Sequence, residues 1–343
     1  MTAPRVPDAA WIRPPAVGPG AVLGVAAPSG PVDPVRLANG LRILRAAGFE
    51  IALAPGLLER DGFLAGDDGG RARDLGRLLR DPGVDAVLCA RGGYGAMRLL
   101  PGLDLRALRA RPKAFVGFSD VTAIHLAFAA EGLVSFHGPV VECGAGPEAE
   151  ENLRAMAAAL GGVGPRALAP AADPAGGRAL RTLGAGRATG RLLGGNLSLL
   201  AATVGTPWEV PADGAVLFLE EVGEPAYRLD RYLTQLWLAG KLQAAAGFVV
   251  GDLAGCCQGP HEPDAVELLA ERLLPLGKPC LAHLPLGHGA RNGTIPLGVR
   301  VELDAGARTL TFMEPAVDVA GRRAGPAGPG PSGRPSAAVP PDR

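Results

Sequence analysis

Aromatic side chains make up only 4% of this chain, its cysteines number five, and its two signs of charge cancel. Each scarcity excludes something. Lysine plus arginine and aspartate plus glutamate stand at 34 each, so no global field draws the chain to nucleic acid or to an anionic membrane. Any partner must be recognised locally. Cys89, Cys143, Cys256, Cys257 and Cys280 are odd in number and show no C-x-x-C spacing. That argues against a disulfide framework or a zinc knuckle, and for reduced thiols in a cytoplasm. No uninterrupted apolar run reaches the ~18 residues of a membrane span, and the opening MTAPRVPDAAWIRPPAVGPG lacks an export signal's charged start and apolar run. What is present is 343 residues at 48% hydrophobic, enough for a packed core in one large or two modest domains.

The first 160 residues alternate strand and helix signals. An apolar strand at 21–27 ends in the turn Pro28-Ser29-Gly30-Pro31, and a helix follows with Asp33 as N-cap and Pro34 at its first position. Leu37, Leu41 and Leu44 recur at helical spacing, Gly40 interrupts them, and Gly48 stands where a helix-ending glycine belongs. Strands are expected at 50–53, 86–89, 114–118 and 134–137, with helices ending near 80 and spanning 121–131. The alternation predicts a doubly wound, mostly parallel sheet. Residues 161–186, rich in Gly, Pro and Ala, read as a linker. A smaller, β-rich α/β unit over 187–318 follows, with strands at 215–219, 247–251, 297–303 and 309–312 and an amphipathic helix at 227–238. The expected division is an extension over 1–17, a first domain over 18–160, the linker, the second domain, and a disordered Pro/Gly/Ser-rich tail over 319–343.

The sharpest chemical signal is Phe115-Val116-Gly117-Phe118-Ser119-Asp120. An apolar strand ends at a glycine, a serine follows two residues on, and a helix begins at once, as in a nucleophile elbow. The second glycine of G-x-S-x-G is replaced by Val121, and Ser119 or Asp120 acting only as a helix cap is the plain alternative. Arg91-Gly92-Gly93-Tyr94-Gly95 follows another strand. It can turn backbone N–H groups toward an anion or a carbonyl oxygen, but fits neither the dinucleotide nor the Walker pattern. Of five histidines, His125 lies in the helix after the elbow and His261 in a Pro-rich loop. His137, His283 and His288 are not separable as a general base by spacing alone. Glu220 and Glu221 end an apolar strand, where a buried carboxylate would need a partner. No set of metal ligands and no cofactor fingerprint is evident.

In order along the chain, VAAPSGPV (25–32), ARGGYGAMRLL (90–100), FVGFSDVTAIH (115–125), FHGPV (136–140), GRLLGGNLSLL (190–200), LFLEEVGEPAYRLDR (217–231) and LPLGHGARNGTIPLG (284–298) resemble the LD-carboxypeptidase family of serine peptidases. The resemblance implies a Ser-His-Glu triad of Ser119, His288 and Glu220 in the cleft between the domains, with Glu221 the next candidate for the acid. The Asp120 amide and a glycine amide, Gly93, would form the oxyanion hole. Arg91 and Asn196 are candidate substrate-lining residues. The implied reaction removes a terminal D-alanine from a cytoplasmic murein tetrapeptide, without cofactor or metal, in a homodimer. A same-family hydrolase of peptidyl or aminoacyl nucleotides would call for aromatic side chains that stack on a base, and no such cluster is visible in the sequence. A non-catalytic muropeptide-binding protein on the same fold is the alternative from another class.

Overall fold

Asp33 opens the first helix as its type predicts: its carboxylate accepts from the N–H groups of Val35 at 2.8 Å and Arg36 at 3.2 Å. The helix Pro34–Ala46 buries Leu37, Leu41 and Leu44, and Gly48 takes a φ of +90° after its end. Gly40 has a packing reason. A Cβ at that position would fall 1.8 Å from the carbonyl oxygen of Val141, so the helix lies directly on that backbone. The computed structural model describes residues 11–164, 166–169 and 179–323.

Two sheets organise the chain. The first has six strands in the order Ile295–Leu297, Ser135–His137, Ala114–Gly117, Ala86–Cys89, Val22–Ala26, Glu50–Leu53. The last five are mutually parallel. From Val22–Ala26 the chain moves outward to Glu50–Leu53 and then returns to Ala86–Cys89 on the other side. The order therefore reverses beside Val22–Ala26, and the carboxyl ends of these strands border the crevice where open α/β sheets place ligands. Helices Pro34–Ala46, Asp68–Arg80, Thr122–Ala130 and Pro147–Leu160 lie within this half, and Leu44, Leu75, Phe115, Phe128, Phe136 and Met156 are in its core.

The second sheet has eight strands: Ala167–Leu168, Thr309–Phe312, Arg300–Asp304, Arg187–Asn196, Val216–Val222, Gly247–Ala254, Cys280–Ala282, Arg181–Gly184. Its centre, from Arg187–Asn196 to Cys280–Ala282, is parallel, and its flanks are antiparallel. Phe218, Val249, Leu281 and Leu303 fill its core.

Four details differ from the sequence expectation. The single strand expected at 297–303 is two: Ile295–Leu297 crosses to the first sheet, pairing antiparallel with Ser135–His137, while Arg300–Asp304 stays in the second. Gly298, at φ +94°, lies at the break. The segment read as a linker supplies the strands Ala167–Leu168 and Arg181–Gly184. The expected tail begins too early, because Asp318–Arg323 pairs in parallel with Pro15–Val17, inside the segment read as an extension. Residues 1–10 and 324–343 lie outside the described residues.

Candidate active site

The elbow forms where the strand Ala114–Gly117 meets the helical turn Ser119–Val121. Ser119 has φ +63°, a left-handed conformation that costs a serine of order 1–3 kcal/mol and must be held by its surroundings. The holding groups are identifiable. Gly117 O, two residues upstream, accepts from His125 Nε2–H at 2.9 Å and from the Gly138 N–H at 3.1 Å. The other ring nitrogen of His125 accepts from the Ser135 hydroxyl at 2.9 Å. Burial pulls the His125 pKa down to about 4, so the ring is neutral and its tautomer suits these two bonds.

The Asp120 side chain is buried. It accepts from the Ala96 N–H at 2.7 Å and so ties the glycine loop to the elbow. Burial raises its pKa, and hydrogen bonding, that of the Ala96 amide included, opposes the rise. The loop is also gripped from below by Arg71, a buried residue that donates to the carbonyls of Gly95, at 3.1 Å, and Pro28. Gly92 abuts Ser119: a Cβ there would stand 2.9 Å from Ser119 Cβ and 3.2 Å from its Oγ. Gly93 follows at φ +109° and is exposed, with its α-carbon against the Gly30 turn.

Glu220 lies on a strand of the second sheet, and His288 on the loop that leaves that sheet at Ala282. Glu220 is fully buried near the end of Val216–Val222, at an irregularity in its pairing with Gly247–Ala254. Its Oε2 lies 2.7 Å from His288 Nδ1. Gly287 permits this approach, since a Cβ there would come within 2.7 Å of the same oxygen. Successive strand residues face opposite sides, so only one of the two adjacent glutamates can do this. Glu221 looks the other way. It accepts from Asn196 Nδ2 at 2.8 Å and from the N–H groups of Ser198 and Val222 at 2.8 and 3.0 Å. Burial is the main influence on its pKa and raises it.

Asn196 is therefore committed within the protein. Its Oδ1 accepts from the Ser198 hydroxyl and, at 3.4 Å, from the Leu199 N–H, its Nδ2 holds Glu221, and its own N–H donates to Thr122 Oγ1. One N–H of its Nδ2 is left over from these bonds. Arg91 sits on the rim with its guanidinium half exposed, donating to Pro31 O at 2.8 Å and standing 4.0 Å from Glu142.

His288 meets the elbow through Phe118, ring centroids 4.7 Å apart, while Ser119 and His288 are not hydrogen-bonded to each other. His137 is packed between Phe118 and Phe218, fully buried, its pKa driven down first by burial and then by the neighbouring histidines. His283 lies before the His288 turn, in the left-handed region at φ +66°.

Sequence reasoning missed Arg71, Asp252 and the bond from His125 to the elbow. The first two left a trace. Arg71 occupies an apolar-face position, four before Leu75 and eight before Leu79. Asp252, like Glu220, follows an apolar strand run; its Oδ2 accepts from the Gly289 N–H at 3.0 Å. Phe63 and Tyr94, 31 positions apart in the sequence, form an exposed edge-to-face pair with centroids 5.5 Å apart. Tyr94 belongs to the same loop as Gly92, and no local pattern announces the pair.

A strained serine at a strand–helix elbow, and a histidine that is bonded to a buried carboxylate and packed on the residue before that serine, fit the parts list of a serine hydrolase. Residues 23–138 match the LD-carboxypeptidase N-terminal domain and residues 189–303 the LD-carboxypeptidase C-terminal domain. The chain belongs to the LD-carboxypeptidase family and is a hydrolase acting on peptide bonds. It is 35% identical to the Bacillus subtilis protein named "Probable murein peptide carboxypeptidase", over 88% of this chain and 94% of that one. It is 25% identical to the microcin C7 self-immunity protein MccF of Escherichia coli, over 81% of this chain and 88% of that one. The crystal structure of muramoyltetrapeptide carboxypeptidase from Oxalobacter formigenes superposes with a TM-score of 0.73 at 27% identity, covering 87% of this chain and 99% of that one.

Proposed function

We propose that this protein removes the C-terminal D-alanine from murein tetrapeptides through an acyl-enzyme on Ser119. The observation that carries the reading is the 2.7 Å bond between buried Glu220 and His288, whose ring lies against the residue preceding the strained serine. With Nδ1 bonded to Glu220, His288 has Nε2 left to act as base. Ser119 Oγ attacks the carbonyl carbon before the terminal D-residue as its proton passes to Nε2, and Glu220 stabilises the imidazolium. The amides of Asp120 and Gly93 receive the oxyanion, and the end of a helix adds a favourable field. His288 then protonates the leaving amine, the C–N bond breaks, and water, deprotonated by His288, releases the shortened peptide from the ester.

Arg91, on the cleft rim, would pair with a substrate carboxylate. The five cysteines are free thiols, which suits a reducing cytoplasm, and no helix among the described residues is long and apolar enough to cross a membrane. The same reading carries a homodimer, to be checked by light scattering.

The test is to incubate purified protein with a muramoyl tetrapeptide ending in D-alanine and to assay free D-alanine, with Ser119→Ala beside it. Release by the wild type alone supports the reading. Release by both, or by neither, sinks it.

A second reading, hydrolysis of aminoacyl or peptidyl nucleotides, is favoured by the Phe63–Tyr94 pair, an exposed aromatic surface of the kind that stacks on a base. Cleavage of an aminoacyl sulfamoyl adenosine but not of the tetrapeptide would select it.

A further inference from the structure

The loop that carries His288 is strung between the two halves of the molecule. It leaves the second sheet at Ala282 and enters the first at Ile295, so neither sheet alone decides where the histidine sits. Side chains hold it instead. The N–H groups on both sides of His288 are bonded: Gly287 donates to Asn292 Oδ1 and Gly289 to Asp252 Oδ2, each at 3.0 Å. Asn292 is in turn gripped from the nucleophile half. Its N–H donates to Asn152 Oδ1 at 3.1 Å, while Asn152 Nδ2 donates to Ala290 O at 3.0 Å. Asn152 stands on the helix Pro147–Leu160, anchored in the first core by Leu153, Met156 and Leu160. A neighbouring ion pair, Arg291 to Glu151 at 3.8 Å, is exposed and adds little.

We propose that Asn152 and Asn292 form a latch between the two halves that fixes the His288 loop at its working distance from Ser119. Both are positioning residues, and the inference rests on the Ser119–His288 reading above. Asn152 uses the acceptor and the donor of one amide on two backbone groups, a pairing that neither aspartate nor alanine reproduces. Asn292 is buried, and one end of its amide holds Gly287. Its Nδ2 has no partner among the described residues, and neither has Glu220 Oε1. Gly287 lies against both residues, so Asn292 backs the acid as well as the base. A displacement of about 1 Å in this loop is enough to cost roughly 100-fold in rate.

The probe is a fluorophosphonate, which phosphonylates an activated serine at a rate set by its base. Asn152→Ala, Asn292→Ala, the double variant and a Ser119→Ala blank are compared with wild type. Each single variant is expected to slow labelling, and kcat on muramoyl tetrapeptide, by about 10- to 100-fold. KM should stay within about threefold, and the final labelled fraction should not change. The double variant should be no slower than the slower single, because the two residues act in one chain of contacts. Asn152→Asp, which keeps the acceptor for Asn292 and loses the donor to Ala290, should recover part of the rate. Wild-type rates in both alanine variants, or strictly additive losses, would overturn the latch. So would a fall in labelled fraction at an unchanged rate, the signature of lost folding alone. A wild type that is not labelled at Ser119 overturns the reading of Ser119 as the nucleophile, a distinct result.

Discussion

Glu220 Oε2 and His288 Nδ1 lie 2.7 Å apart across 68 positions of sequence, and the glutamate side chain has no exposure to solvent. A carboxylate so buried is tolerable only with a partner, and the partner it has is an imidazole, the base of the proposed mechanism. Glu220→Gln keeps the shape and removes the charge that stabilises the imidazolium. The expected loss is about 10²- to 10⁴-fold in kcat, read with a tetrapeptide substrate. Glu221→Gln is expected to act on stability instead, costing roughly 1–3 kcal/mol in denaturant unfolding, because its carboxylate serves Asn196 and two backbone amides. Reversed effects would mean that the neighbouring acid is the catalytic one.

Ser119 stores backbone strain, and glycine would release it. Ser119→Gly is expected to be inactive yet more stable than wild type by about 1 kcal/mol, whereas Ser119→Ala is inactive, by about 10³- to 10⁶-fold, without that gain. Thermal unfolding of the two variants side by side decides it. Equal melting temperatures would show that the elbow costs nothing.

Gly92 is a steric neighbour of Ser119, the proposed nucleophile. In Gly92→Ala the new methyl meets Ser119 Cβ at 2.9 Å, so the serine or the loop must shift. We expect a fall in kcat of at least about tenfold with the fold retained, consistent with a misplacement of a few tenths of an ångström at the reacting atom. Unimpaired turnover would show that the loop yields freely and does not frame the nucleophile.

His125 gives the protein an acid limit. Its folded-state pKa of about 4 lies below the 6.5 of an unperturbed histidine, so the unfolded chain takes up the proton first. Stability from this residue is complete above pH 6.5 and drains as the pH falls toward 4, a loss of order 3 kcal/mol. His137, depressed in the same direction by burial, adds to it. His125→Gln cannot charge and can still donate to Gly117 O, so its melting temperature should fall less between pH 6.5 and 4. The same slope in wild type and variant would assign the acid sensitivity elsewhere.

Much of this is legible in the sequence. The strands Glu50–Leu53, Ala86–Cys89 and Thr309–Phe312 fall at the residues that apolar runs and turn signals bound, and Asp33, Pro34 and Gly48 marked the first helix's ends. These are local effects, decided by side-chain type and by neighbours within a few positions. The elbow at Ser119 was legible for the same reason, since a strand, a turn and a helix start are written consecutively. Geometry within the chain left His137, His283 and His288 equivalent as bases, and only the resemblance to a family chose among them.

Tertiary structure alone decided the rest, because the deciding contacts join residues far apart in sequence. Glu220 faces His288 while Glu221 faces Asn196 because a strand alternates sides, and which side borders the cleft depends on the sheet. Phe63 meets Tyr94 between two loops, and Asn152 on its helix meets Asn292 on the His288 loop, contacts that no short pattern records. The crossing of Ile295–Leu297 into the first sheet is of the same kind: three apolar residues suit either sheet, and the free edge beside Ser135–His137 took them.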